Sequence, residues 1–229
     1  MPGVIAHNLF HRVGDLRTGV DVLRDVFIEA PAGTVTGIVG PAGSGKTSLL
    51  HLLAGLDRPT AGSVTLDERN LRGLDDIELT RLRRDRIGLL LPAASVLPTI
   101  TVRENVALPL LIARRPVAAE AVDELLERVG LLGRADALPS QLTAAERQRV
   151  ALARALVGGP SLLLADEPCG DMDPEEGAYL LLLLREIAHA DGVTVVLFTR
   201  DIDDAAGVAD QIVTLDAGRV VATATPLAA

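Results

Sequence analysis

Thr34–Val39 is a short apolar run rich in β-branched residues. It leads directly into Gly40-Pro41-Ala42-Gly43-Ser44-Gly45-Lys46-Thr47, and Thr47–Leu56 then carries helical leucine spacing. The eight residues satisfy G-x-x-x-x-G-K-[ST], a loop whose backbone N–H groups cradle phosphate at a helix N-terminus. The pattern has meaning only between a strand and a helix, and both are present. Lys46 is the only lysine in 229 residues, although lysine and arginine together number 22. A compact ammonium fits a tightly curled loop better than a planar guanidinium does. A lysine that merely survived an arginine-rich composition would not sit among Gly40, Gly43 and Gly45. The pattern makes Gly40, Gly43, Ser44, Gly45, Lys46, Thr47 and Ser48 the candidate phosphate-binding residues. Lys46 would reach the β- and γ-phosphates, and the Thr47 hydroxyl would bind Mg²⁺.

Composition narrows the setting. The chain is long enough for one α/β domain or a core with a smaller subdomain. Aromatic residues are only 2%, so the core must be built from Leu, Val, Ile and Ala. A net charge of −9 argues against a duplex-DNA binder and against attraction to an anionic membrane surface. One cysteine excludes an internal disulfide and a four-cysteine zinc site. Met1–His7 lacks the basic start and apolar stretch of a signal peptide, and Leu180–Leu184 is too short to span a bilayer. The expectation is a cytoplasmic protein that docks on a membrane partner.

The first third reads as short strands and turns: Val20–Ala30, Thr34–Val39, Ala61–Leu66 and Ile87–Leu91, with a charged helix over Ile77–Arg86. From Val102 to Val157 the patterns are helical. Thr101 and Glu104, and again Thr143 and Glu146, have capping-box spacing, and Val117–Val129 is amphipathic. After Pro160 the alternation returns: strand Ser161–Ala165, helix Pro174–Ala190, strand Val193–Thr199, helix Asp201–Ala209. A hairpin then turns about Asp216-Ala217-Gly218. This predicts an α/β core over 1–92 and 158–229, with a helical insert over 93–157, within a single domain of 1–229.

Leu162-Leu163-Leu164-Ala165 ends in Asp166-Glu167, two acids at the C-terminal edge of a buried strand, where α/β sheets bind ligands. Alone, this would read as a solvated acidic turn. Paired with the phosphate loop, Asp166 fits a metal-side aspartate and Glu167 a residue that orients or deprotonates water.

These segments occur in a fixed order with Leu142-Thr143-Ala144-Ala145-Glu146-Arg147-Gln148 and Gly170-Asp171-Met172-Asp173. Together they resemble an ABC-type ATPase subunit over essentially the whole chain. Asp57-Arg58-Pro59-Thr60-Ala61-Gly62 and Glu104–Leu110 are most similar to the lipoprotein-releasing and macrolide-export group. The resemblance implies a P-loop NTPase (RecA-like) core, an N-terminal antiparallel β-subdomain and a helical insert. It also implies ATP and Mg²⁺ as cofactors, Glu167 as the catalytic residue, Thr47 and Asp166 at the metal, and Thr143 reaching the γ-phosphate across a head-to-tail dimer. The dimer would be a homodimer or a heterodimer with another ABC ATPase. The membrane partner would be a separate permease that holds the subunit on the inner face of the cell membrane, with contact near Pro92–Thr101 and on the helical insert. Nucleic acid has no place in this reading.

Four sequence motifs depart from the family pattern. The signature Leu-Ser-Gly-Gly-Glu/Gln is Leu142-Thr143-Ala144-Ala145-Glu146, which predicts a firmer helix start and poorer γ-phosphate contact. Arg200 replaces the switch histidine, Pro92 the glutamine, and Val13 the adenine-stacking tyrosine, with Phe10 or His11 as aromatic alternatives. Two readings stay open: a slow ATPase, alone or in an asymmetric pair, or an ATP-binding regulatory module with little hydrolysis. Cys169 reads as a small, partly buried residue. Arg81, Arg83, Arg84 and Arg86 read as a solvated face, Leu180–Leu184 as helix core, and the four histidines lack metal-ligand spacing.

Overall fold

The structure, a computed structural model, describes residues 2–14, 19–92, 96–170 and 172–225. The chain begins with β1 (Pro2–Val13), β2 (Val20–Pro31) and β3 (Val35–Val39), then α1 (Lys46–Leu53), β4 (Ala61–Leu66), β5 (Arg69–Asn70), α2 (Asp76–Arg86) and β6 (Ile87–Leu90). Three helices follow, α3 (Val102–Ile112), α4 (Ala119–Arg128) and α5 (Ala144–Leu156). The alternation then resumes with β7 (Leu162–Asp166), α6 (Pro174–Asp191), β8 (Thr194–Thr199), α7 (Ile202–Ala206), β9 (Gln211–Asp216) and β10 (Arg219–Ala224).

Two sheets form. One has six strands in the order β10-β9-β3-β8-β7-β6, parallel except for β10. The other is antiparallel, in the order β2-β1-β4-β5. The parallel strands are short and apolar because helices or the second sheet cover both faces. Period-two alternation divides their side chains. Leu163, Ala165, Val195 and Leu197 join a core with α3 to α6, while Leu162, Leu164, Val196 and Phe198 join one with α1 and the antiparallel sheet. Leu180, Leu181, Leu183 and Leu184 of α6 are buried and Leu182 is exposed, so the leucine run is mainly helix core.

The fold is the expected P-loop NTPase architecture with an antiparallel sheet beside the mixed sheet. The first third, however, is not built only of short strands: β1 and β2 each have 12 residues. β1 escapes a period-two search because its inward face changes phase. Val4 and Ala6 are buried, then Leu9 and His11. The shift falls at an irregularity between Ala6 and Leu9, where Asn8 has φ 47°. The helix expected over Asp201–Ala209 is shorter, Ile202–Ala206.

Both capping boxes form. Thr101 and Glu104 close the start of α3, and Thr143 and Glu146 close the start of α5. The hairpin turn places Ala217 at φ 43° and Gly218 at φ 75°. A Cβ on Gly218 would lie 2.2 Å from the Val22 carbonyl oxygen, so glycine lets this turn pack against β2. Arg83 donates from Nη1 to the Gly55 carbonyl at 2.6 Å, and Arg84 pairs with Asp85 at 2.7 Å. Part of the arginine cluster therefore ties α2 to the loop after α1.

Candidate functional site

The loop from Gly40 to Gly45 emerges from the central strand β3 and ends as the N-terminus of α1. Gly43 and Gly45 have φ of 79° and 104°, a region that residues with a Cβ avoid. A Cβ on Gly40 would sit 2.1 Å from the Leu215 carbonyl oxygen, so close packing on β9 also requires glycine. Lys46 folds back over this loop, and its Nζ donates to the Gly40 carbonyl at 2.5 Å and the Pro41 carbonyl at 3.2 Å. Burial lowers its pKa, and the nearby Glu167 carboxylate opposes that shift. The Ser44 hydroxyl is buried here without a hydrogen-bond partner among the described residues. A phosphate oxygen would supply what both groups need, a strong acceptor in the loop's concavity.

Asp166 ends β7, next to β8 and one strand removed from β3, so the sheet brings it to the phosphate loop. A groove of about 380 Å³ is lined by Gly43, Ser44, Gly45, Lys46, Thr47 and Ser48 together with Asp166 and Glu167. Val22, Pro41, Ala42 and Arg200 complete its wall. Burial raises the pKa of Asp166, and the Glu167 charge adds to the shift. A cation between Thr47 and Asp166 would reverse that penalty. No cluster of three or more His, Cys, Asp or Glu among the described residues could hold a metal unaided. That suits Mg²⁺, which commonly takes one or two protein ligands and completes its shell with phosphate and water.

Thr143 stands outside this groove as the N-cap of α5. Its Oγ1 accepts from Glu146 N at 3.1 Å, and its own N–H donates to Glu146 Oε2 at 2.8 Å. Helix begins at Ala144, and Ala145 is buried, in keeping with the firm start expected from replacing two glycines.

Arg200 follows β8 and faces Glu167. Its Nε donates to Glu167 Oε1 at 3.0 Å, and its backbone N–H lies 3.4 Å from Oε2. Glu167 has φ 42°, and its N–H donates to the Phe198 carbonyl at 2.8 Å. The residue standing at the histidine position therefore holds the candidate catalytic carboxylate directly.

A second cavity, about 570 Å³, lies on the other side of Glu167, lined by Pro92, Ala144, Arg147, Gln148, Pro168, Cys169, Gly170, Met172 and Arg200. Pro92 offers no side-chain oxygen, but the adjacent backbone is tied down from elsewhere: Gln148 Nε2 donates to the Leu91 carbonyl at 3.3 Å. The sequence reading missed Gln148, whose signal was a glutamine on the inward face of an amphipathic helix. Cys169 is half-buried, and its thiol is pushed up to about 12 by burial, then by Asp204 and Glu167. Its surroundings therefore disfavour the thiolate, the form in which a cysteine reacts. His11 is buried, with Nε2 3.4 Å from Asp57, which takes it out of contention for base stacking. Val13 and Phe10 are exposed. Asp171 and residues 93–95 of the expected permease contact lie outside the described residues.

The family described as ABC transporter matches residues 23–170. Among curated proteins, a lipoprotein-releasing system ATP-binding protein LolD from Myxococcus xanthus is 44% identical over 80% of this chain and 82% of its own length. A methionine import ATP-binding protein MetN from Acinetobacter baylyi is 40% identical over 88% of this chain, but this chain spans only 57% of that protein. Among solved structures, a dimeric post-hydrolysis state of the ATP-binding cassette MJ0796, bound to ADP and phosphate, superposes with a TM-score of 0.88. Its identity is 33%, over 99% of this chain and 100% of that one.

Proposed function

The chain belongs to the ABC transporter family as an ABC-type ATPase, and from that premise we propose that it binds MgATP in a head-to-tail dimer and hydrolyses it slowly to drive a separate membrane permease. The supporting observation is the convergence of Lys46, Thr47, Asp166 and Glu167 on one groove. Backbone N–H groups of Gly43 to Lys46 and the α1 N-terminus would bind the phosphates, with Lys46 leaving its carbonyl partners for them. Thr47 and Asp166 would hold Mg²⁺, which supplies charge neutralisation to the phosphates. Glu167 would orient the attacking water and accept its proton. Thr143 of a second subunit would cap the site; a dimer is the state in which the similar MJ0796 cassette was solved.

No helix among the described residues is long and apolar enough to cross a membrane, so the transport reading assigns that task to a permease. Its docking surface would be the groove of about 530 Å³ between α2 and α3, where Leu89, Leu108, Pro109 and Ile112 line an apolar wall beside Arg83 and Arg84. In this reading 93–157 forms a helical unit carried on the 1–92 and 158–229 core. The subunit would sit on the inner face of the membrane through the permease.

The Arg200–Glu167 pair favours a second reading, an ATP-binding regulatory module whose carboxylate is held back from water. Steady-state hydrolysis by wild type and Glu167→Gln separates the two. Slow turnover that drops about a hundredfold in Glu167→Gln supports the ATPase. Equal background rates in both proteins would leave the regulatory module.

A further inference from the structure

We propose that Arg200 is a positioning residue with two alternative partners: it restrains Glu167 in the empty site and gives that carboxylate up when a nucleoside triphosphate offers its terminal phosphate. The inference rests on the nucleotide reading above and deepens it.

The geometry begins with strand register. Asp166 of β7 lies opposite Phe198 of β8, so Glu167 and Arg200 leave the sheet edge side by side. The parallel pair therefore keeps the two residues within reach of one another whenever the sheet is formed. Glu167 is held at both oxygens, by Arg200 Nε at 3.0 Å and more loosely by the Arg200 N–H at 3.4 Å. A carboxylate so engaged keeps lone pairs free, but the guanidinium charge beside it lowers its basicity and the contacts fix its direction, so it is a poorer acceptor of a proton from water.

The hold is reversible. The Glu167 side chain is 24% exposed but that of Arg200 is 66% exposed, so water surrounds the guanidinium and separating the pair costs little. Glu167 and Arg200 both line the groove that contains Lys46 and Asp166. They also line the neighbouring cavity beside Ala144, which gives the arginine side chain room to swing.

A terminal phosphate in the groove is a stronger competitor than a carboxylate. It carries more charge and can take two N–H donors of the planar guanidinium at once. Moving Arg200 to that phosphate compensates its charge and frees Glu167 in the same motion. A diphosphate ends one phosphate earlier and leaves the pair intact. The empty site and the product-bound site thus keep the carboxylate restrained. An imidazole could contact both groups, but only arginine remains charged at every physiological pH, so the exchange responds to phosphate and not to protons.

The test measures equilibrium affinities for ADP and for the β,γ-imido analogue of ATP. The proteins are wild type, Arg200→Ala, Arg200→Lys, Glu167→Gln and the Arg200→Ala/Glu167→Gln double variant. The expected result for Arg200→Ala is a loss of about tenfold in preference for the analogue over ADP, with ADP affinity unchanged. Arg200→Lys should restore part of it. Glu167→Gln should tighten the analogue more than ADP when Arg200 is present, and no more than ADP when it is absent. The proposal is overturned if Arg200→Ala leaves the preference unchanged or weakens both nucleotides equally. It is also overturned if the Glu167→Gln effect on preference survives without Arg200. Failure of the underlying nucleotide reading shows separately, as wild-type affinities no better than those of Lys46→Ala, and removes the ground for both.

Discussion

At Val13 the chain presents an exposed apolar side chain where the family resemblance leads one to expect an aromatic ring. His11 cannot substitute, because it is buried against Asp57. An aliphatic contact keeps the hydrophobic part of base binding but loses ring-on-ring stacking. Restoring an aromatic residue should show the difference. Val13→Tyr is expected to tighten ATP binding by about tenfold, since stacking a base on an aromatic side chain contributes about 1–3 kcal/mol. Titration of wild type and variant with ATP reads this directly; unchanged affinity would mean that the base does not lie over residue 13. Residue scale also shows the limit of sequence reading. Lys46, Asp166 and Glu167 announced themselves through local context: glycines around the first, an apolar strand before the others. The ion pair between Glu167 and Arg200 did not, because it joins residues 33 apart and depends on strand register.

Helices and strands carry the next set of consequences. α5 starts with a full capping box followed by two alanines, so it is a firmer helix start than Gly-Gly would allow. Ala144→Gly and Ala145→Gly are expected to move stability and activity in opposite directions. Each substitution should cost up to about 1 kcal/mol in urea unfolding. Together they should raise ATP turnover, because backbone can then approach phosphate more closely. Loss of stability with no gain in turnover would remove the altered signature as a cause of the slow hydrolysis proposed above.

Asp210 joins β3 to the start of β9: its carboxylate accepts from the Val35 N–H at 2.8 Å and meets His189 at 3.0 Å. Burial would raise its pKa, but those two partners outweigh it and hold the carboxyl below its ordinary value. A depressed carboxyl stabilises the fold above the unfolded value of about 3.9, and that contribution is lost as pH falls through the lower folded value. Asp210→Ala should therefore cost about 1 kcal/mol at pH 7, the low end for a charged hydrogen bond because the carboxylate is partly exposed. The gap from wild type should close below about pH 4. Unfolding curves at pH 7 and pH 3.5 measure both.

Legibility at this scale follows from periodicity. β7 and α5 were plain because one pattern persists from end to end. β1 was hidden because Asn8 at φ 47° shifts the strand's phase midway. Capping boxes were readable because they depend on residues three apart.

The whole molecule divides the chemistry into two halves. In the proposed function phosphate binding is local: the residues assigned to it come from β3, α1 and the edge of β7 and line one groove. The sensing and coupling that the family resemblance implies would be spread over Pro92, Thr143–Ala145 and Arg200, which come from distant segments. Much of the fold was legible because the strand–loop–helix unit and the later α/β alternation prescribe a parallel sheet. The second cavity was not, because its wall combines the ends of β6, α5, β7 and β8, and no single stretch of sequence contains that surface. On this proposal a chain can keep an intact phosphate loop while altering four other motifs, because binding and turnover would draw on different parts of the molecule.

The measurement that tests this account most directly is calorimetric titration of MgATP into wild type and Lys46→Ala. The account predicts saturable binding by wild type and at least a hundredfold weaker binding by Lys46→Ala, about 2.7 kcal/mol for a charge held against phosphate. Equal affinities would contradict it, because the half of the site that keeps the full phosphate-loop pattern would then not be binding phosphate.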